Sequence, residues 1–113
     1  MIRPIYTYRA VVSRVIDGDT VEVVIDLGFH ITSTLRVRVL GIDAPELFSG
    51  DGRDAGLKAK NDTIAWCDNV DYEVIITTSK ADGFGRWLAE ITDTDNNSLT
   101  EHLLSLGYEP YTR

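Results

Sequence analysis

Leu35-Arg36-Val37-Arg38-Val39-Leu40-Gly41-Ile42-Asp43-Ala44-Pro45-Glu46 is the stretch on which the reading of this chain turns. Leu35, Val37 and Val39 alternate with Arg36, Arg38 and Leu40. Period-two alternation predicts a strand with one face in a core. Gly41 loosens the backbone, and Asp43-Ala44-Pro45-Glu46 ends the strand, because proline has no N–H to give a ladder. Two guanidinium groups and two carboxylates therefore leave one strand within a few residues. A site for a phosphate and a hard metal ion needs such groups.

Upstream, Tyr6 to Ile16 is rich in β-branched and aromatic residues and reads as a first strand. Asp17-Gly18 is a turn signal, and Asp19 to Asp26 returns as a second strand with Val21, Val23 and Ile25 on one face. Leu27-Gly28-Phe29-His30 is a turn, and Ile31 to Ile42 is the third strand of a meander. Downstream, Leu47 to Arg53 has loop composition. Asp54 to Asp68 reads as a helix whose stripe is Ala55, Ala59 and Trp66, with Leu57 and Ile64 beside them. Tyr72 to Thr78 and Phe84 to Asp93 are the fourth and fifth strands, with a turn at Ser79 to Gly83. Ser98-Leu99-Thr100-Glu101 is a capping box. It opens a second helix with Leu99, Leu103 and Leu106 on one face and Gly107 at its end. The fold class expected is mainly β with helices (α+β). The layout is that of a five-stranded OB-type barrel, with one helix between strands three and four and a second after strand five.

The chain of 113 residues is expected to form a single domain, 1–113, with 43% hydrophobic residues and no need of disulfide staples. Cys67 is the only cysteine, so neither an internal disulfide nor a cysteine metal cluster is available; it reads as a small core or interface hydrophobe. No stretch has transmembrane length, and the N-terminus shows no apolar signal segment, so no membrane partner is expected. Net charge is −7 and the pI about 4.6, which argues against a generic nucleic-acid binder with a basic footprint. A polyanion would have to be held by a few placed cations or a bound metal.

Asp19 follows the first turn, and Asp43 and Glu46 follow the third strand. Strand three runs parallel to strand one, so the first turn and the third strand's exit lie at one end of the meander. Asp19 and Asp43 can therefore converge there. Carboxylates with backbone carbonyls and water suit Ca²⁺ or Mg²⁺. His30 and His102 are isolated, which disfavours zinc. Taken singly, Asp17, Asp19 and Asp43 read first as turn residues. Taken with Arg38 and with Arg86, which follows Asp82-Gly83-Phe84-Gly85, that reading weakens. Arg36 reads as surface.

Val15-Ile16-Asp17-Gly18-Asp19-Thr20-Val21, then Arg38-Val39-Leu40-Gly41-Ile42-Asp43-Ala44-Pro45-Glu46, then Asp82-Gly83-Phe84-Gly85-Arg86 resemble the three signature blocks of the staphylococcal nuclease family. The blocks stand in the family's order, and the resemblance runs from about Tyr8 to Gly107. It implies a calcium-dependent phosphodiesterase on an OB barrel, acting on DNA and RNA. Asp19 and Asp43 would be calcium ligands, joined by the Ala44 carbonyl. Glu46 would be the general base or the orienter of the attacking water, and Arg38 and Arg86 would bind the scissile phosphate. Ala44 stands where the best-known member has threonine, Gly83 where it has lysine and Phe84 where it has tyrosine. Phe84, Tyr108 and Tyr111 would offer rings to a base, although packing of the tail against the barrel accounts for the two tyrosines equally well.

The expected partner is DNA or RNA, single-stranded or frayed given the acidic charge, met by a monomer. Two competing readings are a catalytically weak or inactive module that binds nucleic acid or a protein, and a structural barrel within a larger assembly. The second explains the acidic charge but not the coincident site residues.

Overall fold

A computed structural model describes residues 6–45, 53–81 and 87–111. Five strands close into a barrel in the order β1 (Thr7–Asp17), β2 (Thr20–Asp26), β3 (Thr32–Val39), β6 (Trp87–Thr92), β5 (Glu73–Ala81). A two-residue strand β4 (Ile42–Asp43) follows β3, and helix α1 (Arg53–Asn69) precedes β5. Helix α2 (Leu99–Ser105) and a short β7 (Glu109–Pro110), paired with β4, complete the described elements. The expected α+β barrel, with its helices after the third and fifth barrel strands, is the fold observed.

Alternation carries the barrel. Val21, Val23, Val37, Val39, Ile76, Ala89 and Ile91 are fully buried inside it. All barrel pairings are antiparallel except β3 with β6, which is parallel and sets Val37 opposite Trp87 and Arg38 opposite Leu88. Helix α2 closes one end with Leu99 and Leu103, both inaccessible to solvent. Its capping box is present: the Ser98 hydroxyl accepts from the Glu101 N–H at 3.3 Å. Cys67 is buried in the same core, and desolvation pushes its thiol up to about 11, which leaves it inert at neutral pH. Among the described residues no helix is long and apolar enough to cross a membrane.

Three expectations are corrected. The third strand does not run unbroken to Ile42. It stops at Val39, turns through Leu40–Gly41 and resumes as β4, because Gly41 takes φ +86°, a conformation outside the strand region. In α1 the buried residues are Gly56, Ala59, Thr63, Trp66 and Cys67, while Ala55 and Leu57 are exposed. Where α1 crosses the Gly18 turn it packs through the small side chain of Ala59. In α2, Leu106 is 46% exposed, since it is the C-cap rather than part of the buried stripe.

Candidate active site

The site is assembled at the end of the barrel where β1 turns into β2 and β3 leaves. Irregular register between Val12 and Arg14, and again between Val15 and Asp17, bends β1 just before the turn. Gly18 lies under α1: a Cβ there would fall 2.8 Å from the Ala59 Cβ and 2.9 Å from the Ala44 Cβ. Only a residue without a side chain permits this approach of turn, helix and β4 exit. The buried Thr63 hydroxyl donates to the Gly18 carbonyl at 2.6 Å and pins the turn to the helix.

Asp19 is thereby driven inward, and its side chain is 5% exposed. Its carbonyl accepts from the Val39 N–H at 2.8 Å. Its carboxylate accepts from the Thr20 hydroxyl at 3.2 Å, from the Ala44 N–H at 3.1 Å and from Arg38 Nη2 at 3.4 Å. The same Arg38 Nη2 lies 3.5 Å from Asp43 Oδ1, and Asp43 is more than half exposed. One guanidinium thus spans a buried and a solvated carboxylate. Its Nη1 is buried and makes no hydrogen bond among the described residues. Tyr111 lies beneath it, with the guanidinium carbon 4.5 Å from the ring centroid.

The exit of β3 is braced from the C-terminal segment. The Thr100 hydroxyl donates to the Leu40 carbonyl at 2.6 Å, and the Tyr111 N–H donates to the Gly41 carbonyl at 3.1 Å. Ile42 and Asp43 pair with Pro110 and Glu109. These ties set where Asp43 can stand. Nothing in the local sequence signals them, because their partners lie about sixty residues or more away.

Of the residues expected at the site, the structure brings together Asp19, Arg38, Asp43 and Ala44, with Tyr111 beneath the guanidinium. Arg36 is exposed, as expected of a surface residue, and faces Glu22 across the β2–β3 ladder. Glu46, Phe84 and Arg86 lie outside the described residues. Among those described, no cluster of three or more His, Cys, Asp or Glu forms a metal cage. The donors at hand, Asp19 and Asp43, are hard oxygens that already converge on one cationic group, which suits a hard divalent ion completed by carbonyls and water.

Tyr108 is engaged elsewhere. Its hydroxyl donates to Asp62 Oδ2 at 2.5 Å, and Lys58 approaches both Asp62, at 3.0 Å, and the Tyr108 ring. The Tyr108 hydroxyl, and after it Lys58, hold the Asp62 carboxyl below its ordinary value. A lowered folded value stabilises above the unfolded value, near 4, and that contribution is lost as pH falls through the folded one. Tyr108→Phe is therefore expected to lower the melting temperature at pH 7 and to converge with the parent as the pH drops below about 4. A difference independent of pH would instead mean that the hydroxyl acts through packing alone.

No protein-family model matches the chain. Two curated proteins do. The chain is 32% identical over 84 residues to "Micrococcal nuclease" of Shigella flexneri, covering 74% of this chain and 42% of that protein. It is 28% identical over 111 residues to "Endonuclease YhcR" of Bacillus subtilis (strain 168), covering 91% of this chain and 9% of that protein. The chain is thus similar to nucleases of the staphylococcal-nuclease-like family. It spans less than half the length of the curated relatives it matches.

Proposed function

We propose that this domain is a nuclease that hydrolyses phosphodiester bonds of DNA or RNA with Ca²⁺ held at Asp19 and Asp43. The supporting observation is the meeting of Arg38 with both carboxylates, 3.4 Å and 3.5 Å from one guanidinium nitrogen, in a chain similar to two nucleases. Asp19, Asp43 and the Ala44 carbonyl would hold the ion. When bound, it would neutralise charge on the phosphoryl oxygens. Arg38 has the planar donor fork that phosphate requires, and Tyr111 and the bracing of β3 keep that fork in place. By family resemblance Arg86 shares the phosphate, Glu46 takes the proton of the attacking water, and Phe84 and Tyr111 present rings to a base. A monomer acting on single-stranded nucleic acid suits the net charge of −7.

Cleavage of heat-denatured DNA with Ca²⁺, with Mg²⁺ and with EDTA, beside a Glu46→Ala control, tests this reading. Cleavage is expected with Ca²⁺, none with EDTA, and at least a 100-fold lower rate in the variant, about the loss that follows removal of one group acting in the transition state. No cleavage under any condition by a folded sample would overturn the assignment and leave a binding module.

A further inference from the structure

At the opposite end of the barrel β1, β3 and β6 begin and β2 and β5 end. A cleft of about 600 Å³ enters it, lined by Tyr6, Tyr8, Leu35, Trp87 and the hydroxyl residues Ser33 and Thr78, among others. Alternation explains the lining. Tyr8 and Leu35 continue the inward faces of β1 and β3, and Trp87 lies two residues before buried Ala89. Helix α2 covers the far end, so nothing equivalent covers this one among the described residues. Tyr6 is 52% and Trp87 42% exposed. Among the described residues no charged side chain lines the cleft.

We infer that this mouth is a subsite for a nucleobase of a single-stranded substrate, which stacks on Trp87 and Tyr6; the inference rests on the nuclease reading. Three observations carry it. First, the lining combines aromatic rings with hydroxyls. Each base offers a π-face to the rings and polar edges to the hydroxyls. Second, a domain of net charge −7 gains little from counterion release, so affinity for a nucleic acid must come from uncharged contacts. Third, the rim of the cleft at Trp87 and the candidate active site at Arg38 share the β3–β6 ladder. Trp87 pairs with Val37, one register step from Arg38 and Leu88. Arg38 lies on the outer face of that ladder and Trp87 on the inner. A buried apolar partner protein would not need the hydroxyls, and a second copy would bring another seven negative charges close by.

The chain has two tryptophans, and Trp66 is 7% exposed, so Trp87 dominates any solvent-sensitive fluorescence. The full chain is titrated with short oligothymidylate in EDTA, and with an abasic oligonucleotide of equal length. Oligothymidylate is expected to quench the emission saturably, with little dependence on salt, and the abasic strand is not. Trp87→Ala is expected to weaken oligothymidylate binding about 5- to 150-fold, and Trp87→Phe, which keeps a ring, to retain most of it. Absence of quenching, or equal affinity of Trp87→Ala and the parent, would overturn the subsite. So would quenching that grows with protein concentration alone and accompanies a dimer in sedimentation. Cleavage assays separate the two readings. A parent that cleaves, with a Trp87→Ala variant unchanged in KM, discards the subsite and keeps the nuclease. A parent that never cleaves, yet shows the quenching and the affinity loss, discards the nuclease and keeps the base-binding mouth.

Discussion

Arg38→Ala is expected to lower turnover on denatured DNA by about 10²–10³-fold, the loss typical when one preorganised donor to a developing anion is removed. The guanidinium is held from three sides, by Asp19, by Asp43 and by the Tyr111 ring 4.5 Å away. It is therefore aimed before substrate arrives. Arg38→Lys should recover little, since an ammonium is a point charge without the planar fork. The substitution has a second, opposite consequence. Arg38 is the cation that the two carboxylates share in this structure, so its loss leaves Asp19 with the Ala44 N–H and the Thr20 hydroxyl in a nearly closed site. The apo variant should melt lower than the parent. Added Ca²⁺ should raise its melting temperature more than it raises the parent's, because the ion no longer competes with a guanidinium. Calorimetric melting with and without Ca²⁺ checks this apart from activity. Equal Ca²⁺ shifts in both proteins would mean that the two carboxylates are not the ion's site.

Gly18→Ala is expected to destabilise the fold by about 1–3 kcal/mol, the usual cost of forcing a group into a packed interior. The added Cβ meets two alanine Cβ atoms and, at 3.1 Å, the Ala59 carbonyl carbon. None of these is the end of a flexible side chain, so the backbone of α1 or of the β4 exit must move. A melting temperature lower by roughly 4–8 °C per kcal/mol follows for a domain near this size. Because Asp19 is the next residue, cleavage should fall as well, even at temperatures where the variant is fully folded. Combining Gly18→Ala with Ala59→Gly should return part of the stability despite the helix cost of the second glycine, about 1 kcal/mol. The double-mutant cycle reads that coupling directly. A Gly18→Ala variant as stable as the parent would show that the turn and helix are not in the close contact described.

Much of this protein was legible in its residues. Val21, Val23 and Ile25, and Val37 with Val39, lie inside the barrel because alternate side chains of a strand share a face. The Ser98 cap and the Leu99–Leu103 pair announced α2, since capping and the helical period are local properties. The lone cysteine is buried, as its isolation suggested.

What lay beyond local reading has one physical reason: it depends on which distant surfaces meet. The face of α1 was read in part: Ala59 and Trp66 are buried as expected, but Ala55 and Leu57 are exposed, because the Gly18 turn meets the helix at Ala59 and Thr63. Gly41 was visible as a break, but the resumption of the chain as β4 depends on Glu109 and Pro110. Asp19 and Asp43 were readable as neighbours at one end of a meander. That they share a single guanidinium, seated on Tyr111, was decided by barrel closure and by the C-terminal segment folding back across the exit of β3. The sequence by itself determined the five barrel strands, the second helix and the chemical types at the site. The tertiary structure alone decided their distances, because contacts between residues far apart in the chain leave no pattern in the neighbours of either.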